Sequence, residues 1–137
     1  MKEIKNWDNK TWLSSQDYIN NFNKFLISNG QLNQNSKILD IGCGRGKILG
    51  NLSNKLKLKK KAIGIDVQKH KDRDKRFIFK KMNAINFINQ NKDSFDLILI
   101  KQTIHLLRIN QIQNFIKLCK KCLTDRGSIM IITLDPY

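Results

Sequence analysis

Apolar positions recur along this chain with two alternating periods. Ser14 and Ser15 are suitable helix caps, with Asp17 three residues after Ser14. Tyr18, Ile19, Phe22, Phe25 and Leu26 come next at helical spacing, and Gly30 suits the stop. The pattern predicts an amphipathic helix of about four turns. From Lys37 to Ile41 the period changes to a short apolar run that ends in a glycine-rich turn, the mark of a buried strand. A helix is expected from Gly46 to Lys55, a second strand over Ala62 to Asp66 and a weaker third over Phe77 to Phe79. Ala84, Phe87 and Ile88 predict a short helix, Phe95 to Ile100 a fourth strand, Asn110 to Cys122 an amphipathic helix, and Ser128 to Leu134 a fifth strand.

Apolar strands alternating with helices imply a parallel sheet covered on both faces, an α/β fold. In such sheets a ligand sits beyond the carboxyl ends of the strands, where strand order reverses. Those ends are Asp40–Gly46, Asp66–Val67, Met82–Ala84 and Lys101–His105.

The first of these ends, Asp40-Ile41-Gly42-Cys43-Gly44-Arg45-Gly46, carries three glycines within five residues. Glycine lets the backbone turn sharply and approach a ligand closely. A phosphate-binding loop needs Gly-Lys followed by Ser or Thr, but Gly46-Lys47 is followed by Ile48. The dinucleotide pattern fails as well, because its last glycine would fall on Lys47. Asp40 would repel a pyrophosphate and favour a ligand bearing positive charge. Twenty residues beyond Gly46, Asp66 ends the second strand, where a carboxylate can accept from both hydroxyls of a ribose.

With these two motifs in place, the chain resembles the class I methyltransferase family. The resemblance rests on Ile38–Gly46, Ala62–Val67, Phe95–Ile100 and Leu123–Ile129 in that order, and covers about residues 35 to 134. It implies a Rossmann-like, doubly wound, mostly parallel sheet in three α/β/α layers, and S-adenosylmethionine as cofactor. Residues 1–137 would form a single domain, with a helical segment over 1–34 and the Rossmann-like core over 35–137. Gly42, Gly44 and Gly46, with Cys43 among them, would pass under the methionine part of the cofactor, and Asp40 would help hold its amino group. Asp66 would bind the ribose and Val67 would lie against the adenine. Asn83-Ala84 stands where the family often has Asp and a small residue, and the Asn83 amide oxygen can accept from the adenine amino group. Lys101 and Gln102 would border cofactor and acceptor. His105 is the candidate general base, needed only where the acceptor must lose a proton.

The residues after the fourth strand narrow the acceptor. Lys101-Gln102-Thr103-Ile104 lacks the Pro-Pro-aromatic signature of amino-methylating nucleic-acid enzymes and the Pro-Cys pair of covalent cytosine chemistry. It also lacks the Asp of the ribose-methylating type, since Lys101 holds that place. Asp135-Pro136-Tyr137 comes after the fifth strand instead. The pattern resembles the broad group acting on small-molecule acceptors. The family fold continues past its fifth strand with another helix and a two-stranded antiparallel edge, whereas this sequence ends at Tyr137. That early end opens a third reading, a non-catalytic methyltransferase-like binding module.

Composition changes this picture in one respect. The 137 residues, 40% of them hydrophobic, suffice for one core, and neither a membrane span nor a signal peptide is evident, so a cytoplasmic place is expected. The net charge of +15 makes RNA an alternative acceptor. Twenty-one of the 26 basic residues are Lys, spread along the chain, which instead suits a solvated surface. Lys57, Lys59, Lys60 and Lys61 precede the second strand, at the end of the sheet remote from the site. Cys119 and Cys122 share a helix face and have no second ligand pair for zinc, so they are expected in the core, and no metal is expected. Trp7, Trp12 and Tyr18 either wall the site or bury the first helix.

Overall fold

The computed structural model describes residues 16–101, 104 and 107–132. Its elements are α1 (Gln16–Gly30), β1 (Ile38–Ile41), α2 (Lys47–Leu56), β2 (Ile63–Asp66), β3 (Ile78–Lys81), α3 (Ala84–Gln90), β4 (Phe95–Lys101), α4 (Ile109–Lys121) and β5 (Leu123–Ile132). The strands form one parallel sheet in the order β3-β2-β1-β4-β5. Strand order reverses between β1 and β4, so the carboxyl ends of those two strands flank the expected ligand crevice.

Side chains alternate across a strand, and this divides the core in two. Leu39, Ile41, Ile98 and Ile100 join Phe87, Phe115 and Cys119 on the α3/α4 face. Ile38, Leu97 and Leu99 join Leu26, Leu49, Leu52 and Phe77 on the α1/α2 face. By the same alternation Asp40 and Lys101 belong to the α1/α2 face, in strands joined through the Asp40–Leu99 register. Cys119 and Cys122 are buried, as their spacing in an amphipathic helix predicts. Burial pushes the Cys119 thiol up to about 12, so it stays protonated and apolar in behaviour.

Two boundaries, those of β3 and β5, differ from the sequence pattern by more than one residue, and the stop of α1 works differently from the expectation. α1 does end at Gly30, but the left-handed position falls on Gln31, with φ 49°, and Leu32 N–H then bonds back to the Ile27 carbonyl. A β-carbon on Gly30 would come within 3.1 Å of Leu32 Cγ, a tight contact with a side chain. β3 runs two residues past Phe79 through Lys80 and Lys81, which are exposed on an edge strand and so leave no apolar signal. β5 starts at Leu123, five residues before the expected Ser128. Leu123 pairs with Phe95 and Ser128 with Leu97, so residues 124–127 bulge outward within the strand. Ser14, Ser15, Trp7, Trp12 and the expected strand residues Thr133 and Leu134 lie outside the described residues.

Candidate functional site

The β1–α2 turn is built by backbone geometry that only glycine adopts without strain. Gly42, Gly44 and Gly46 have φ of 78°, 55° and 76°. Gly42 N–H and Cys43 N–H both donate to the Ile65 carbonyl, at 2.9 and 3.1 Å, so β2 holds the loop at its root. Gly46 has a further reason. A β-carbon there would lie 2.2 Å from Phe77 Cε1, a core aromatic ring. Phe77 also closes on Gly64, where a β-carbon would come within 2.6 Å of Cε2.

Asp66 braces the same loop from the end of β2. Its Oδ2 accepts from Gly44 N–H at 2.8 Å and its Oδ1 from Gln68 N–H at 3.0 Å. A carboxylate has about four acceptor positions, so capacity remains for two hydroxyl donors. Val67, next in the chain, is 60% exposed, an apolar surface at the place expected to meet a flat ring.

The segment between β2 and β3 clasps the loop from outside. Arg73 Nε donates to the Gly44 carbonyl at 2.9 Å and Nη2 to the Gln68 carbonyl at 2.8 Å. Its guanidinium lies 3.5 Å over the Phe79 ring. Asp74 N–H donates to the Arg45 carbonyl, and Arg45 Nε to Asp72 Oδ1. Sequence reasoning missed Arg73 as a loop-holding residue. It sits in a run of charged residues and nothing in its spacing distinguishes it from its neighbours.

Asp40 is fully buried, and Lys101 Nζ lies 2.9 Å from its Oδ2. The two form a close buried ion pair, with the Lys101 ammonium as donor to the Asp40 carboxylate. Burial pushes the Asp40 carboxyl above the usual range, opposed by the Lys101 charge. Burial, with Asp40 nearby, pushes the Cys43 thiol up to about 12, so it is neutral at physiological pH. Tyr18, on the first turn of α1, stacks on Phe22 with ring centroids 5.9 Å apart. It is near enough to Lys101 that the ammonium opposes the upward shift that burial gives the phenol.

Asn83 Oδ1 accepts from Ile85 N–H at 2.9 Å and Asn86 N–H at 3.4 Å, which caps α3. Ala84 opens that helix and packs against the α3/α4 core. The structure thus gathers Asp40, Gly42, Cys43, Gly44, Asp66, Val67 and Lys101 about one end of the sheet. Gln102 and His105 lie outside the described residues. No group of three or more metal-binding side chains occurs among the described residues, and no described helix is long and apolar enough to cross a membrane.

The sequence model of a family described as "Methyltransferase domain" matches residues 39–129. No curated protein matches the chain in sequence. Among solved structures, the N-methyltransferase NodS from Bradyrhizobium japonicum, in complex with S-adenosylhomocysteine, is 19% identical with a TM-score of 0.69, covering 94% of this chain and 66% of its own. A SAM-dependent methyltransferase from Archaeoglobus fulgidus is 23% identical with a TM-score of 0.60, covering 77% and 48%. The plantazolicin methyltransferase BpumL, in complex with a pentazolic desmethylPZN analog and S-adenosylhomocysteine, is 21% identical with a TM-score of 0.67, covering 90% and 48%. The chain therefore spans between 48% and 66% of the length of these three structures, and the likeness to them is one of fold.

Proposed function

The chain belongs to the methyltransferase-domain family, and on that premise we propose that it binds S-adenosylmethionine at the carboxyl ends of β1, β2 and β4 and transfers the methyl group to a small-molecule acceptor. The observation that carries this reading is the joint placement of Asp66 and the glycine loop. The Asp66 carboxylate is fixed by two backbone N–H groups yet keeps acceptor positions for a ribose, beside an exposed Val67 suited to an adenine. The negative charge of Asp40 at the end of β1 suits a positively charged ligand, which S-adenosylmethionine is and a dinucleotide pyrophosphate is not.

When bound, S-adenosylmethionine supplies a methyl group on a positively charged sulfur with a neutral thioether as leaving group. The residues of this chain hold and align the reactants. Asp66 and Val67 fix the nucleoside, and the loop of Gly42 to Gly46 lets the backbone come close. Alignment alone is worth up to roughly 7–11 kcal/mol in well-oriented reactions. His105 takes a proton where the acceptor atom carries one. A small-molecule acceptor is supported by Lys101-Gln102-Thr103-Ile104 after β4 and by the pentazolic desmethylPZN analog that BpumL holds.

RNA is the second reading, favoured by the exposed Lys69, Lys71 and Lys75 on the segment that clasps the glycine loop. Lys57, Lys59, Lys60 and Lys61 are also exposed but precede β2, at the far end. The test is incubation of the purified chain with methyl-labelled S-adenosylmethionine and either the low-molecular-mass or the RNA fraction of a cell extract. Label in the first fraction supports the proposal. Label in RNA, falling steeply with salt, moves the assignment to the second reading. Cofactor binding without label in either fraction favours a non-catalytic binding module.

A further inference from the structure

Four hydrogen bonds close a ring at the end of β2. Gly44 N–H donates to Asp66 Oδ2 at 2.8 Å, and Gln68 N–H donates to Asp66 Oδ1 at 3.0 Å. Arg73 joins the same two residues from the other side, with Nε on the Gly44 carbonyl at 2.9 Å and Nη2 on the Gln68 carbonyl at 2.8 Å. Gly44 and Gln68 take part through their backbones, so Asp66 and Arg73 are the side chains of the circuit. Removing Arg73 opens it on the side away from Asp66.

The surroundings of Arg73 suit this bridging role. It stands between Asp72 and Asp74, yet each of those carboxylates has another partner. Asp72 pairs with Arg45 at 3.1 Å and Asp74 with Arg76 at 2.7 Å. The half-buried Arg73 guanidinium goes instead to two neutral carbonyls and lies 3.5 Å over the Phe79 ring. A planar forked donor can hold two acceptors at once, and stacking on a ring fixes its plane, which a lysine ammonium cannot reproduce. Parallel strands are usually joined through a helix, but residues 67–77 between β2 and β3 form none. This connection depends on such cross-links for its shape. Arg73 ties it both to the glycine loop and to the residue after Val67.

A carboxylate at a strand end has two side-chain torsions that binding a diol must fix. Fixing them beforehand raises affinity by removing an ordering cost, and the groups behind the ligating residue provide that. We propose that Arg73 is a positioning residue for ribose recognition: by closing the ring it holds the Asp66 carboxylate in the orientation that accepts from both hydroxyls. This rests on the S-adenosylmethionine reading above and adds to it a residue that acts through Asp66.

The test is calorimetric titration of the full chain with S-adenosylhomocysteine and with its 2′-deoxy analogue, which lacks one of the two hydroxyls. The ratio of the two affinities is internal to each variant, so a change in stability alone leaves it in place. In the wild-type chain the ratio is at least about tenfold, the effect of one hydrogen bond to a charged group. Arg73→Met keeps an unbranched stem over Phe79 but loses both donors. In it S-adenosylhomocysteine binds about three- to tenfold more weakly, and the ratio falls to about threefold or less. Arg76→Met, in the same segment, breaks the pair with Asp74 but not the ring, and keeps the wild-type ratio. A folded Arg73→Met with the wild-type ratio overturns the inference, as does an Arg76→Met that loses the ratio equally. If Arg73→Met does not fold, Arg73→Lys decides. Its ammonium holds one carbonyl at a time, so the ratio falls at least about twofold, and an unchanged ratio overturns the inference. A folded wild-type chain that binds neither probe, or both equally, shows that the S-adenosylmethionine reading or the ribose role of Asp66 has failed, and the inference falls with it.

Discussion

A β-carbon on Gly46 would lie 2.2 Å from Cε1 of Phe77, so packing against the core by itself requires glycine at the end of the loop. Gly46 also has φ 76°, which an L side chain tolerates poorly. Gly46→Ala is therefore expected to destabilise the chain by about 2–4 kcal/mol, from left-handed strain and overpacking together. Urea denaturation of the variant checks this. Phe77→Leu in the same chain should recover part of the loss, because it removes the atoms that clash. A loss of only a few tenths of a kcal/mol would mean that Phe77 moves aside freely.

Asp74 makes the β2–β3 clasp sensitive to acid. Burial pushes its carboxyl up, but hydrogen bonds from the Arg76 side chain and backbone outweigh this and hold it below the usual carboxylate value. A depressed folded-state pKa contributes stability above the unfolded pKa and loses it as pH falls through the folded value. The difference in urea midpoint between the wild-type chain and Asp74→Asn should thus be full at pH 7. It should shrink once pH falls below about 4, where free carboxylates protonate. A difference that is constant from pH 7 to pH 3 would contradict the assignment.

Asn83 distinguishes capping from ligand contact. As an N-cap it contributes about 1 kcal/mol to α3, and Asn83→Ala should lose that much stability. Its amide oxygen is engaged by Ile85 and Asn86 N–H, so affinity for S-adenosylhomocysteine should change by less than about twofold. A large loss of affinity in a chain of unchanged stability would return Asn83 to the adenine.

The sequence made the buried strands legible because their apolar runs have no other reading. Ile38 to Ile41 and Phe95 to Ile100 form strands where the pattern places them. Exposed elements left a fainter trace. Lys80 and Lys81 belong to β3 but carry no apolar signal, and the polar Thr124-Asp125-Arg126-Gly127, at the register irregularity of β5, hid the start of that strand at Leu123. In the site, spacing marked out Asp66 and the glycines, and their expected roles came from the family resemblance. The partnership of Lys101 with Asp40, 2.9 Å apart, was not. It depends on the parallel register of β1 with β4, which brings distant residues onto one face and which no local pattern encodes.

Arg73 shows the same limit. Its bond to the Gly44 carbonyl at 2.9 Å joins the β2–β3 segment to a loop 29 residues earlier. A run such as Lys71-Asp72-Arg73-Asp74-Lys75-Arg76 reads as solvated surface until the chain is folded.

The glycine loop and Asp66 together are proposed as the binding site for S-adenosylmethionine, and every other functional assignment depends on it. Its most direct test is calorimetric titration of the purified chain with S-adenosylhomocysteine, alone and as Asp66→Asn. The wild-type chain should bind with micromolar affinity. In Asp66→Asn binding should weaken at least about tenfold, on the order of what loss of charge-assisted hydrogen bonds gives, while the fold remains by circular dichroism. A folded wild-type chain that does not bind S-adenosylhomocysteine, or an Asp66→Asn variant that binds it equally well, would contradict this assignment.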